Sequence, residues 1–194
     1  MKQHLINIFG SSGSGSTTLA KNISLNFGYR FIDVDDYLWK KTDPPFTDRF
    51  TNSEACQLII DKLKDGLNSV ISGSLVGIAD KLKSKIDLFV YINLDKDIRI
   101  QRIKQREKER FGERILPGGD LYEQHLSFLK WVSDYEDNPE TERSRRQHLL
   151  WLEDVSVPVL KVTHELTLEE LLTLVRPFIK GGKSWHLHLF LKYY

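Results

Sequence analysis

Cysteine is almost missing from this 194-residue chain: Cys56 stands alone. That excludes a disulfide framework and a thiolate metal cluster, and makes a reducing compartment the expected home. No stretch approaches the roughly 20 apolar residues of a membrane span. The first residues carry no secretory pattern either, so a cytoplasmic, membrane-free protein is expected. Excess charge is lacking too. The formal net charge is +1, which by itself argues neither for nucleic acid nor for an acidic partner. The histidines at 4, 125, 148, 164, 186 and 188 show no metal-ligand spacing such as HExxH. No internal repeat is present. One further absence is local: a lysine is missing where a glycine-rich loop would be expected to carry one.

What the chain does contain is an alternation of short apolar runs with longer helical patterns. Strands are expected at Leu5 to Phe9, Arg30 to Val34, Ser69 to Ser72, Leu88 to Ile92 and Val157 to Val162. Helices are expected near 16–27, 52–67, 95–110, 120–136, 140–153 and 168–179. Two of them open on capping boxes, Thr51-x-x-Glu54 and Thr167-x-x-Glu170. Runs such as Leu88-Phe89-Val90-Tyr91-Ile92 suit strands buried on both faces of a parallel sheet. The expected fold class is therefore α/β, with a doubly wound parallel sheet and ligands beyond the carboxyl ends of the strands. Residues 1–180 read as one domain, with a glycine-rich lid at about 110–121. Residues 181–194 read as an appended tail. Lys41-Thr42-Asp43-Pro44-Pro45-Phe46-Thr47 reads as a rigid loop, because tandem prolines exclude helix.

The loop Gly10-Ser11-Ser12-Gly13-Ser14-Gly15-Ser16-Thr17-Thr18 lies between the first strand and the first helix. Glycines let successive backbone N–H groups point inward, and a helix N-terminus adds positive potential, so this is a phosphate cradle. Its spacing is that of G-x-x-x-x-G-K-[ST], with Ser16 at the lysine position. Gly10, Ser12, Gly13, Ser14, Gly15, Ser16, Thr17 and Thr18 are the expected nucleotide-binding residues. Thr17 is the expected Mg²⁺ ligand, and Thr18 is placed to reach an α-phosphate. Lys21 or the arginines of the lid are the candidate replacements for the missing cation.

Three carboxylates, Asp33, Asp35 and Asp36, close the second strand. As strand residues, Asp33 and Asp35 would share a face. One carboxylate is expected to hold Mg²⁺ and another to take the proton of a substrate hydroxyl. Ser69-Val70-Ile71-Ser72-Gly73-Ser74-Leu75 ends a strand with groups able to face a ligand. Arg102, Arg106 and Arg110 recur every four residues along one helical face that runs into the lid. Guanidinium forks suit phosphate. The same stripe, counted from Arg99 to Arg114, also allows a nucleic-acid face or a solvated helix laced with Glu107, Glu109 and Glu113. Arg143, Arg145 and Arg146 form a second basic cluster. The tryptophans read as core or interface residues.

With these motifs in hand, the chain resembles the P-loop kinases of the adenylate kinase, shikimate kinase and gluconate kinase type. The matching segments are Gly10 to Thr18, Asp33-Val-Asp-Asp36, Val70-Ile-Ser-Gly-Ser-Leu75 and Val90-Tyr-Ile-Asn-Leu-Asp-Lys-Asp97, followed by Arg102 and Arg106. It is most similar to a bacterial adenylate-kinase-like subgroup with a G-S-G-[ST]-T-T loop, Trp39, Asp43-Pro-Pro-Phe-Thr47 and Arg114-Ile-Leu-Pro-Gly-Gly-Asp120. The resemblance implies a five-stranded parallel sheet, a mobile lid, ATP and Mg²⁺. It implies that Arg102 stacks on adenine, that Arg106 and Arg110 bind phosphates, and that Asp33 helps hold Mg²⁺. Asp35 or Asp36 would touch the phosphoryl acceptor. The expected activity is ATP-dependent transfer to a nucleotide or small hydroxylated metabolite, by a monomer or homodimer. A nucleotide-binding protein without catalysis is the first alternative, and a nucleic-acid-binding protein the second.

Overall fold

The computed structural model describes residues 2–137 and 143–179. Five strands, β1 (Leu5–Gly10), β2 (Arg30–Asp33), β3 (Ser69–Ser72), β4 (Leu88–Ile92) and β5 (Val159–Val162), form one sheet. Its order is β2-β3-β1-β4-β5 and every pairing is parallel. The expected α/β class is therefore the observed one. Ladder neighbours align the ends of the strands, with Asp33 opposite Ser72 and Gly10 opposite Ile92.

Period-two alternation sorts each strand's side chains between two cores. Ile6, Ile8, Val70, Leu88 and Val90 pack against Leu19 and Ile23 of helix α1 (Ser16–Phe27), and against Leu171 and Val175 further along the chain. On the other face Leu5, Phe9, Ile71, Phe89 and Tyr91 meet Ala55 and Ile59, together with Leu152. Helix α2 (Asp35–Leu38) is a single turn, and α3 (Asn52–Leu63) carries Ala55 and Ile59. Helices α4 (Lys96–Phe111), α5 (Tyr122–Ser133) and α6 (Arg145–Glu153) follow, with Leu152 on α6. Helix α7 (Leu168–Val175) closes the order and carries Leu171 and Val175. Both expected capping boxes are present, at Thr51–Glu54 and Thr167–Glu170.

Several expectations need correction. Strand β2 stops at Asp33 and Asp35 opens α2, so the two carboxylates do not share a strand face. Helix α3 stops at Leu63, short of residue 67, where Lys64, Asp65 and Gly66 turn the chain. Strand β5 starts at Val159, after Pro158, which brings no N–H to a ladder. Helix α7 passes into a 3-10 turn at Arg176–Phe178, where Pro177 lacks the donor an α-helix needs. The lid segment is not an open loop: Gly112–Ile115 form a 3-10 turn that continues α4. A second unexpected 3-10 helix spans Asp80–Lys85. The start of the helix expected over 140–153 and the tail 181–194, with Trp185, His186 and His188, lie outside the described residues. No described helix is long and apolar enough to cross a membrane.

Candidate active site

The carboxyl ends of β1, β2 and β3 open into one cleft of about 1660 Å³. A single small-molecule pocket spans ~300–1,000 Å³, so a nucleotide and a second substrate can share this space. The residues expected to bind nucleotide, metal and acceptor line it, namely Gly10, Ser12, Gly13, Ser14, Gly15, Ser16, Thr17, Thr18, Asp33, Asp35, Asp36, Arg102, Arg106 and Arg110, whereas Arg99, Arg114, Arg145 and Arg146 do not.

The loop after β1 is built around two close backbone approaches. Gly10 has φ +150°, and a Cβ there would lie 1.9 Å from the Ile92 carbonyl oxygen. Gly13 has φ +82°, and its Cβ would lie 2.7 Å from the Arg99 carbonyl oxygen. Only glycine fits either place. Gly15 precedes α1 and supplies no side-chain cap, and no acidic residue occupies the first turn. The leading N–H groups of α1 therefore have no partner inside the helix, which is the condition for anion binding. The buried hydroxyls of Ser11 and Ser14 have no hydrogen-bond partner among the described residues. Thr17 Oγ1 lies 2.9 Å from Ser72 Oγ at the end of β3. An uncapped helix, a glycine cradle and orphaned hydroxyls fit a polyphosphate.

Across the cleft, burial pushes the Asp33 carboxyl up to about 6, and the charge of Asp35 adds to the shift. The Asp35 N–H, 3.2 Å from Asp33 Oδ1, and the charge of Lys21 pull the other way. No ion pair compensates Asp33 among the described residues. No group of three or more His, Cys, Asp or Glu side chains able to hold a metal occurs among the described residues. Mg²⁺ needs no such cage, since it is commonly held by one or two protein ligands together with substrate phosphates. Asp35 Oδ1 lies 3.6 Å from Arg143 Nη1, so the second basic cluster reaches this site.

The arginine row on α4 is diverse. Arg99, which the sequence grouped with a basic stripe, is 0% exposed and pairs with Glu136 at 2.6 Å. It offers no charge to a surface. Arg102 pairs with Glu165, and Arg106 donates to Glu107 at 3.1 Å. Arg110 has no carboxylate partner among the described residues. Its guanidinium lies 5.0 Å from the ring centroids of both Phe46 and Phe111. The Pro-Pro loop and the lid segment are fastened together. Arg114 donates to Asp43 and Asp120, each at 2.6 Å, and Gln124 Nε2 donates to the Pro45 carbonyl at 2.8 Å. Trp39 and Trp131 line the cleft, so they are not plain core residues, whereas Trp151 packs on Phe9 and Phe89.

Glu107, expected on a solvated helix face, is buried in the cleft wall beside the half-buried His125, which sequence reasoning missed; their nearest N and O atoms are 4.0 Å apart. Sequence reasoning also missed the contacts of His148. No local pattern announces either, because the partners come from different elements.

The sheet order, the glycine cradle on β1 and the cleft beyond the strand ends define a kinase-like P-loop fold. The same architecture occurs in an uncharacterized protein from Eubacterium ventriosum ATCC 27560, with TM-score 0.54 and 17% identity, covering 92% of this chain and 99% of that one. It occurs also in a sugar kinase from Janibacter sp. HTCC2649, with TM-score 0.53 and 12% identity, covering 95% and 99%. At such identities the likeness concerns the fold alone. No protein-family model matches the sequence. The chain is 34% identical over 177 residues to the uncharacterized protein YqaC of Bacillus subtilis (strain 168), spanning 91% of this chain and 98% of that protein. It belongs to the same family as YqaC.

Proposed function

We propose that the chain is an ATP-dependent phosphotransferase that moves the γ-phosphoryl group to a small hydroxylated acceptor, either a nucleotide or a metabolite. The observation that carries this reading is the uncapped N-terminus of α1, set in its glycine cradle and facing Asp33 and Asp35 across one cleft. The amides of Gly13 to Thr18 would hold the phosphates, and Arg102 would flank the nucleotide. Thr17 and Asp33 would hold Mg²⁺, whose chemistry is to neutralise charge on the phosphates. Asp35 is placed to orient the acceptor hydroxyl and take its proton, with Asp36 adding to the negative field.

Ser16 leaves the phosphates without the usual ammonium. Arg110 supports the role of replacement best, because its charge faces aromatic rings and no carboxylate among the described residues neutralises it. Lys21 lies one helical turn from Thr17, and its charge already acts on Asp33. Catalysis here is positioning and charge stabilisation, so one arginine at the transferred group is sufficient chemistry.

The test is ADP release from Mg-ATP in the presence of nucleosides, nucleotides, sugars and sugar acids, each supplied singly. Release that depends on one acceptor supports the reading. Tight ATP binding with no acceptor-dependent release across the panel supports a nucleotide-binding protein without catalysis.

A further inference from the structure

Behind the acceptor side of the cleft lies a buried chain of four polar side chains from four separate segments. Ser74, just after β3, meets His148 Nε2 of α6 at 3.0 Å. His148 Nδ1 meets the Tyr135 hydroxyl at 2.7 Å, and Tyr135 meets the Tyr91 hydroxyl of β4 at 3.0 Å. His148 is 1% exposed and Tyr91 2%. Ser74 and Tyr135 line the cleft, whereas Tyr91 ends the chain in the core.

Such a chain can run in two directions. In one, Ser74 donates to Nε2, Nδ1–H donates to Tyr135, and Tyr135 donates to Tyr91. Either the Tyr91 proton or, if Tyr91 donates instead, the Tyr135 proton is then buried with no acceptor among the described residues, the costly state for a polar group. In the other, Tyr91 donates to Tyr135, Tyr135 to Nδ1, and Nε2–H to Ser74 Oγ. Every donor behind Ser74 is then satisfied, and Ser74, 5% exposed at the cleft wall, is the one hydroxyl left to seek a partner. Ser74 Oγ also accepts the Val76 N–H at 3.3 Å, so both of its lone pairs are taken. Its own proton is left to point into the cleft. Burial and the charge of Arg143 hold the imidazole neutral, at about 3, so both nitrogens keep these roles across the ordinary pH range.

The place Ser74 faces follows from the neighbouring strand. Asp33 pairs with Ser72, and Gly73 packs so closely on Val34 that a Cβ would lie 3.0 Å from its Cβ. Ser74 follows directly on Gly73, and Arg143, which meets Asp35, acts by its charge on the His148 ring that Ser74 contacts. A lone hydroxyl donor and a guanidinium together suit an anionic oxygen. We propose that His148 is a positioning residue held as the Nε2–H form, which makes Ser74 a donor-only group that reads a carboxylate or phosphate oxygen on the acceptor.

The inference rests on the phosphotransferase reading for the name "acceptor", yet its tests do not need turnover. Imidazole nitrogen NMR of the full chain, with the His148 signal assigned by its loss in His148→Gln, should show the Nε2–H tautomer from pH 5.5 to 8. An Nδ1–H tautomer would overturn the proposal. Binding of AMP against adenosine, and of gluconate against glucose, can be read by quenching of Trp39 and Trp131. The charged member of one pair should bind, and which pair responds tells phosphate from carboxylate. Preference for the neutral members, or no binding by any of the four, would overturn the proposal. Ser74→Ala and His148→Phe should each weaken that binding about 10- to 100-fold, the effect of one hydrogen bond to a charged oxygen, while Mg-ATP affinity holds. His148→Gln, which keeps an N–H near Nε2, should recover most of it. The Ser74→Ala, His148→Phe double variant should be no worse than either single one. Additive losses would mean that His148 does not act through Ser74. If the anion binds and responds as expected but no phosphoryl transfer occurs, the activity fails while the Ser74 assignment stands.

Discussion

Acid should loosen this fold through His148, by an amount that can be worked out. In the native protein the imidazole sits at about 3, lowered first by burial and then by the charge of Arg143. In the unfolded chain it titrates near its ordinary value of about 6.5. Because the native value is the lower one, the unfolded chain holds one more proton between those limits. Stability is therefore intact above about 6.5 and falls as pH drops below it, by about 1.4 kcal/mol per pH unit at the steepest. Between pH 7 and pH 5 the loss is about 2 kcal/mol, a sizeable share of the ~5–15 kcal/mol that holds a typical domain. Urea unfolding followed by tryptophan fluorescence at the two pH values gives the number. His148→Gln has no such proton to gain, whereas the carboxylates contribute equally to both proteins. The wild type should thus lose about 2 kcal/mol more than the variant on acidification. Equal losses, within about 0.5 kcal/mol, would refute the reasoning, because they would mean that His148 is hydrated or already charged in the native state.

Three further outcomes are expected. Gly13→Ala should abolish measurable Mg-ATP binding in a calorimetric titration and cost about 1–3 kcal/mol of stability, since its Cβ meets the Arg99 carbonyl at a positive φ. Glu136→Ala should destabilise the fold by about 3 kcal/mol in urea, because it strands the fully buried Arg99 guanidinium; a loss under about 1 kcal/mol would mean that water reaches that charge. Arg110→Ala should lower turnover by about 100-fold or more, and Lys21→Ala by far less; equal small effects would remove Arg110 as the substitute for the missing ammonium.

The parts of the fold legible in the sequence are those written locally. Strand, glycine loop and helix follow one another from Leu5 to Phe27, so adjacency alone assembles the cradle. The capping boxes at Thr51 and Thr167 are likewise four-residue signals. The parallel sheet followed from strands with apolar residues on both faces, of which β4 is fully buried. What stayed hidden depends on partners distant in the chain. Arg99 looked like one more basic residue on a charged helix, until Glu136, 37 residues away, is seen to neutralise it. A four-residue helix at Asp35–Leu38 is too short to leave a periodic trace. The lid read as a flexible glycine stretch because Arg114 is fastened by Asp43, which lies 71 residues earlier. The chain from Ser74 to Tyr91 draws on four separate segments, and none of its members stands out alone.

The account depends most on the claim that main-chain amides at the start of α1 hold a triphosphate although Ser16 carries no charge. Calorimetric titration of the full chain with Mg-ATP tests it directly. One saturable site per chain with a dissociation constant under about 1 mM, worth about 4 kcal/mol or more, is the predicted result. No heat of binding at millimolar Mg-ATP, in a protein that unfolds cooperatively in urea, would contradict it.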